Sequence, residues 1–504
     1  MRTGRTTRTA LPAAALAALL AGCAPAPEGG GAPDDRLRVG DITFEPCSLS
    51  AVGARAVEAQ CARFEVPEDH DTPDGRRIGL ALALLPAEGT AEPDPVVMIA
   101  GGPGQSALES YPQVAAAFSD LRRSRHVLLV DARGTGGSHP LHCAAEDEGS
   151  AFDVEQMTPE AMRAFAERCR DALAADGTDL RRYGTMDHVR DLEAVRKALD
   201  APQLNLVGIS YGSRVAQQYA KAWPEATRTV VLDGVAPNSM VLGQEHARNL
   251  EQALDTQFQR CRDEPACVGN LGDPSAQLDA VRATLEAGDL APVQYRHPVS
   301  GEWLEDRPSF DHLAALLRMF SYQPAASATL PLLLHDASQG RYAPMMSQAR
   351  MLADSLGSQM AQGMQLSVIC TEDVADMTID PADAGSLLGT GMVEFFHAQC
   401  PVWPTAPRAD GFRDPLSGDV PVLAISGEFD PVTPARYGDE VVSHLANGRH
   451  LVAPGQGHNV IGAGCMPKLF AQFVERADAS GIDASCLDRL AAAQPFAGNY
   501  GWEP

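Results

Sequence analysis

Three residues, far apart along the chain, have the types and settings that acyl transfer needs. Ser210 sits in "LVGISYGSRVAQQYA", Asp430 in "ISGEFDPVTP" and His458 in "VAPGQGHNV". A serine hydroxyl attacks a carbonyl at neutral pH only when a base takes its proton and a third group orients that base. The chain order Ser, Asp, His supplies these roles: His458 accepts the Ser210 proton, and Asp430 fixes the imidazole tautomer and stabilises its charged form. In Gly208-Ile209-Ser210-Tyr211-Gly212 the glycines stand two residues either side of the serine, where the backbones of an incoming strand and an outgoing helix approach too closely for side chains. Plainer readings exist for each residue. Ser210 also suits an ordinary strand-to-helix turn, Asp430 a turn cap beside Thr433 and Pro434, and His458 is one of thirteen histidines. His450 is a weaker competitor for the base, and Asp233, ending "VVLDG", is the rival acid.

Acyl transfer also places negative charge on the substrate carbonyl oxygen, which two aimed backbone N–H groups stabilise by a few kcal/mol each. The N–H of Tyr211, just after the nucleophile, is one expected donor. The other is expected in "AGGPGQS", at Gly102, ahead of Pro103, which lacks an amide hydrogen. Alone, "GGPG" reads as a tight turn. This chemistry calls for no metal and no organic cofactor, and no cysteine spacing resembles a zinc site.

The elements that must position these residues are legible as alternating strands and helices. "RRIGLALALLPA" (76–87), "PVVMIAGGPG" (95–104) and "RHVLLVDARGTGGS" (125–138) read as buried strands feeding loops. In "TMDHVRDLEAVRKALD", Val189, Leu192, Val195 and Leu199 form one stripe, and Glu193 precedes Lys197 by four residues, as in an amphipathic helix. "LNLVGI", the helix "YGSRVAQQYAKAW" and "TRTVVLDGV" follow, which predicts a mostly parallel sheet with helices on both faces. From 239 to 405, helical stretches succeed one another without clear buried strands. Alternation resumes with "DVPVLAISGEFD". Asp131 and Arg133, in the turn "DARGTGGS", read as structural, because such turns need side-chain bonds for their backbone.

Together "GGPGQS", "DARGTGGS", "GISYGS", "GEFDPVTP" and "GQGH" resemble the α/β-hydrolases related to prolyl aminopeptidase and, more closely, exported bacterial tripeptidyl aminopeptidases. The resemblance implies an α/β-hydrolase fold with an inserted helical cap, and cleavage of residues or short peptides from a free peptide N-terminus. The expected organisation is a signal peptide at 1–22, an anchor and tether at 23–40, a hydrolase core at 41–238 and 406–504, and the cap at 239–405. Ala100 stands where prolyl aminopeptidases carry histidine before the two glycines, which puts strict proline specificity in doubt. An aminopeptidase must hold the substrate ammonium, and Glu372 and Asp373 in "VICTEDVADM" are the candidates. They read equally well as solvated charges on a loop. A carboxylesterase with the same triad is the alternative activity, and a non-catalytic binding protein on the same scaffold is the remaining one.

Composition sets the surroundings. The 504 residues carry a formal charge of −26, which disfavours a nucleic-acid partner. "MRTGRTTRTALPAAALAALLAGC" has three arginines, an apolar run too short to span a bilayer, and small residues ending at Cys23. "LAGC" resembles a bacterial lipoprotein signal with Cys23 as lipid anchor, the sole membrane attachment expected, and "APAPEGGGAP" reads as a flexible tether to the cell envelope. The ten further cysteines fall into five local pairs, as disulfides of an exported chain would, although sequence leaves their connectivity open.

Overall fold

The short apolar runs become strands buried along their whole length. All four residues of Val96–Ile99 and of Val127–Val130 are buried, as are all six of Leu204–Ile209 and of Val422–Gly427. Burial on both faces is the mark of parallel strands covered by helices on each side. The computed structural model describes residues 36–143 and 158–502, with the backbone alone for 355–359. The expected signal peptide, tether and Cys23 lie outside the described residues. Residues 36–504 form one unit.

Twelve strands are present among the described residues: β1 Leu37–Val39, β2 Ile42–Leu49, β3 Val57–Pro67, β4 Arg77–Leu85, β5 Val96–Ile99, β6 Val127–Val130, β7 Leu204–Ile209, β8 Thr227–Asp233, β9 Val293–Arg296, β10 Trp303–Asp306, β11 Val422–Gly427 and β12 Gly448–Ala453. Ten make one sheet in the order β1-β2-β3-β4-β6-β5-β7-β8-β11-β12. The pairs from β1 to β6 are antiparallel, and those from β6 through β12 are parallel. Strand order reverses around β5, and its two parallel neighbours β6 and β7 leave a crevice at the carboxyl ends. That crevice lies between the "GGPG" loop after β5 and Ser210 after β7.

Alternate residues of the parallel strands serve opposite layers. Val97 and Leu206 join Val189, Leu192, Val215 and Tyr219 beneath the helices Thr185–Ala198 and Tyr211–Ala222. Val96, Met98 and Val207 join Tyr111, Phe118, Phe470 and Phe473 on the other face. Between β8 and β11 the chain is mostly helical and surrounds a core of its own, with Leu250, Phe258, Leu313, Leu317, Leu334 and Met345. One feature here differs from expectation. "VQYR" and "WLED" pair as the antiparallel hairpin β9–β10, whose residues are largely part-exposed, so their apolar pattern is too weak to stand out.

Five disulfides join Cys47–Cys61, Cys143–Cys169, Cys261–Cys267, Cys370–Cys400 and Cys465–Cys486. Each links neighbouring cysteines in the chain, the local pairing read from the sequence, and five together fit an exported protein in an oxidising compartment. Among the described residues no helix is long and apolar enough to cross a membrane.

Glycine substitutions test the tightest contact. A Cβ on Gly212 would stand 2.3 Å from the carbonyl oxygen of Ile99, whereas one on Gly269, within the helix Pro265–Leu271, meets nothing within 4 Å. Gly212→Ala should therefore lower the unfolding free energy by about 1–3 kcal/mol. Gly269→Ala should raise it by up to ~1 kcal/mol. Urea unfolding of both variants checks the contrast.

Candidate active site

Ser210 occupies the single residue between β7 and the helix Tyr211–Ala222, with φ 55° and ψ −122°. That left-handed conformation is costly for a serine and persists only where its surroundings over-determine it. The neighbours do so. A Cβ on Gly208 would lie 2.3 Å from the Gly212 carbonyl oxygen, so strand and helix cross with no room for a side chain at either glycine. The Ser210 N–H donates to the Asp233 carbonyl (2.7 Å), and the Ser210 carbonyl accepts from the backbone N–H and hydroxyl of Ser213 at 2.8 and 2.6 Å. The peptide groups on both sides of Ser210 are thus fixed.

Asp430 and His458 meet in the loops after β11 and β12. His458 Nδ1 lies 2.7 Å from Asp430 Oδ2, and both residues are 3% exposed. The other carboxylate oxygen, Oδ1, accepts the N–H groups of Val432 (2.9 Å) and Thr433 (2.8 Å). One carboxylate thus both caps the turn and holds the His458 ring. Thr433 adds a contact that the sequence did not single out: its hydroxyl donates to Asp430 Oδ2 (2.8 Å) and lies 3.1 Å from His458 Nδ1. Tyr322, likewise unanticipated, accepts the His458 backbone N–H on its carbonyl (2.9 Å) and packs its ring edge-on to the imidazole, centroids 5.1 Å apart. With Nδ1 engaged, Nε2 is the nitrogen left to accept a proton.

Burial works against the imidazolium, but the Asp430 charge and hydrogen bond, with help from Asp233, outweigh it and hold the His458 pKa above its ordinary 6.5. Burial also opposes ionisation of Asp430, yet the His458 charge and the hydrogen bonds it accepts keep its pKa below the usual aspartate value.

The rivals have other work. Asp233, at the end of β8, accepts the N–H groups of Val460 (2.8 Å) and Ile461 (3.0 Å) on its two carboxylate oxygens. Its carbonyl holds the Ser210 N–H, so this one residue ties the serine turn to the loop bearing His458. Burial pushes its pKa up to about 6. The next residue, Gly234, lies so near the imidazole that an added Cβ would stand 2.7 Å from its Cε1. His450 lies within β12, with Nδ1 against Asp439 (2.8 Å) and Nε2 against Ser426 (2.9 Å).

The "GGPG" loop packs on the nucleophile: a Cβ added to Gly101 would sit 3.0 Å from Ser210 Cβ. Gly102 follows with φ 107°. Tyr211 is the first residue of its helix, so its N–H has no intrahelical acceptor. Asp131 braces the loop from below. It accepts the Ser106 hydroxyl (2.6 Å) and the N–H groups of Leu108 (3.0 Å) and Gly137 (2.9 Å). Arg133 forms a two-pronged ion pair with Asp191 at 2.6 and 2.7 Å and donates to the carbonyls of Glu68 and Arg182.

Glu372 and Asp373 are not solvated loop charges. They end the helix Gln362–Glu372, 4% and 0% exposed. Glu372 accepts the N–H (2.6 Å) and hydroxyl (2.7 Å) of Thr185, whose hydroxyl also contacts the Tyr211 hydroxyl (2.7 Å). Asp373 pairs with Arg214 and Arg413, each at 3.0 Å, and accepts the Leu242 N–H at 3.1 Å. Their oxygens accept from the chain's own donors, and these bonds tie the helical segment to the sheet. Burial pushes Glu372 up to about 7, the nearby Arg214 charge opposing it.

With this geometry in view, comparison with known proteins is informative. A profile of the alpha/beta hydrolase fold matches residues 94–462. Serine protease Hip1 of Mycobacterium tuberculosis is 26% identical over 498 residues, covering 92% of this chain and 94% of its own. Tripeptidyl aminopeptidase of Streptomyces lividans is 30% identical over 192 residues, 35% of each chain. Among solved structures, proline iminopeptidase of Mycobacterium smegmatis aligns over 83% of this chain and 99% of its own, with a TM-score of 0.41 and 17% identity.

Because the base must be neutral to accept a proton, and its pKa is raised, kcat/KM should climb with pH through a midpoint above 6.5. Asp430→Asn removes the larger raising influences and leaves burial opposed only by the Asp233 charge, so the midpoint should move down while the plateau falls by roughly 10³–10⁴. Asp233→Asn should chiefly lower the melting temperature, with turnover nearly intact. pH–rate profiles and thermal unfolding of both variants check these outcomes.

Proposed function

The chain belongs to the α/β-hydrolase fold family, and on that premise we propose that it is a serine peptidase acting on peptides with a free N-terminus. Ser210 attacks the scissile carbonyl as His458 Nε2 takes its proton, and the N–H groups of Gly102 and Tyr211 receive the developing oxyanion. His458 then protonates the leaving amine. Water, deprotonated by the same imidazole, releases the acyl group from Ser210 in the second half of the cycle. The observation that carries this reading is the buried Asp430–His458 pair at 2.7 Å, in loops tied through Asp233 to the strained Ser210 turn. It supports a group poised for proton transfer rather than a satisfied core histidine, since among the described residues only the Nδ1 nitrogen is engaged.

A peptide substrate is favoured by the long overlap with a serine protease and the shorter one with a tripeptidyl aminopeptidase. The helical segment 239–405 acts as a cap that limits entry, and Cys23 is the lipid anchor of the exported chain. An esterase using the same residues is the second reading, favoured by 30% identity over 237 residues to carboxylesterase B of Mycobacterium tuberculosis.

Ser210→Ala should abolish covalent labelling by a fluorophosphonate while leaving the circular dichroism spectrum unchanged; labelling that persists at another serine overturns the assignment. Chromogenic peptides with a free amine should be cleaved and their N-acetylated counterparts not. Equal turnover of the two removes the aminopeptidase reading.

A further inference from the structure

One buried nitrogen behind the "GGPG" loop lacks the partner that burial demands. His188 lies in the first turn of the helix Thr185–Ala198 and is 1% exposed, and among the described residues its Nδ1 meets no hydrogen-bond partner. A buried polar atom left unpaired is costly, so it points to something that meets it. Burial holds the His188 pKa down to about 4, so the ring is neutral, with one nitrogen to donate and one to accept. The helix is also held still. Thr185, its first residue, donates to Glu372, and Asp191, three residues beyond His188, is clamped by Arg133.

His188 lines a cavity of about 10 Å³, shared with Gly101, Gly104, Gln105 and Tyr211. That is the space of one water molecule. Two of these walls flank the nucleophile. Tyr211 follows Ser210 in the chain, and a Cβ added to Gly101 would stand 3.0 Å from Ser210 Cβ and 3.1 Å from Gln105 Oε1. Gly101 and Gly104 bring no side chains, so their part of the wall is backbone, and among the described residues the Gln105 carboxamide has no hydrogen bond of its own. Polar partners of this kind, about two to four of them, are what a buried water requires. The loop has a use for such a bridge. Asp131 braces it at Ser106 (2.6 Å) and the Ala361 N–H at the Gly104 carbonyl (3.0 Å), but the Gly101 carbonyl accepts the Gln105 N–H across a long 3.4 Å.

We propose that the cavity holds one water molecule, bonded to His188 Nδ1, the Gln105 carboxamide and the loop backbone, and that through it His188 is a positioning residue for the amides that receive the oxyanion. His188 itself touches no reacting atom. A neutral imidazole fixed on a helix gives the water an unchanging partner, and the water passes that position to a loop whose three glycines leave its backbone free to move. Glycine is required where the loop packs on Ser210, so the support has to reach it from a neighbouring element through something small. This inference rests on the serine-hydrolase reading of Ser210.

The test compares the wild type with His188→Leu, His188→Asn, Gln105→Leu and the double variant His188→Leu/Gln105→Leu. Turnover of p-nitrophenyl acetate and of chromogenic peptides with a free amine is divided by the number of Ser210 sites that a fluorophosphonate titrates to completion, so loss of folded protein does not enter. His188→Leu should lower kcat per site by about 10- to 100-fold with KM little changed, because the loop amides act on the transition state. His188→Asn keeps a polar atom near the Nδ1 position and should recover most of that loss. The double variant should be no slower than the slower single one, since both remove the same bridge. A crystal structure of the wild type should show one ordered water within about 2.7–3.2 Å of His188 Nδ1. Unchanged kcat per site in His188→Leu, losses that multiply in the double variant, or a cavity without water density each overturn the inference and leave the serine-hydrolase reading in place. The predicted loss seen on the ester with no peptide cleaved supports the inference and removes the peptidase reading. A wild type that neither reacts with the fluorophosphonate nor turns over either substrate removes the serine-hydrolase reading, and the positioning role with it.

Discussion

The close crossing of β7 and the helix that follows it is the constraint on which the site depends. With Gly212 against the Ile99 carbonyl and Gly208 against the Gly212 carbonyl, there is one backbone path through the turn, and it forces Ser210 to a positive φ. The strain is held by burial on both sides: β7 has no exposed residue, and neither has the first half of the helix. From that fixed point the other groups are located by short links. The Asp233 carbonyl fixes the serine amide, its carboxylate fixes the amides after His458, and the imidazole then meets Asp430.

Much of this was legible in the sequence because its causes are local. The glycine spacing around Ser210, the apolar runs of β5 to β8, and the positions of Asp430 and His458 after strands all follow from short-range sterics and burial. What stayed hidden depends on distant partners. Glu372 and Asp373 resemble loop charges until Thr185, Arg214 and Arg413 are seen to surround them. Thr433 reads as part of a turn until the imidazole arrives beside it. Asp233 reads as a rival acid because its type and its place at a strand end suit that role, and only the structure shows its carboxylate accepting the amides of Val460 and Ile461. The β9–β10 hairpin was missed because half-exposed strands carry little alternation.

The contacts that hold the helical segment on the sheet are of a different kind from those within the sheet. Arg214, 0% exposed, and Arg413 both pair with Asp373 at 3.0 Å. Removing one partner of such a cluster strands a charge in a poorly hydrated place, so it fixes position more than it adds stability. Thr185 extends the cluster to the side chain of Tyr211, whose amide faces the reacting carbonyl in the proposed cycle. The fit of the helical segment and the shape of the oxyanion site are therefore joined through hydroxyls and carboxylates rather than through apolar packing alone.

The distribution of the disulfides has a consequence for how the chain is assembled. None of the five spans more than 30 residues; two lie wholly within the segment between β8 and β11, and three wholly outside it. Oxidation can thus complete every covalent staple on either side without choosing how the two sides meet. The seam itself is crossed by no disulfide; it is closed by the buried ion pairs and hydrogen bonds around Asp373 and Glu372 and by an apolar core that Leu242, Met364 and Ile369 share with the sheet, so its two sides come together by non-covalent contacts alone.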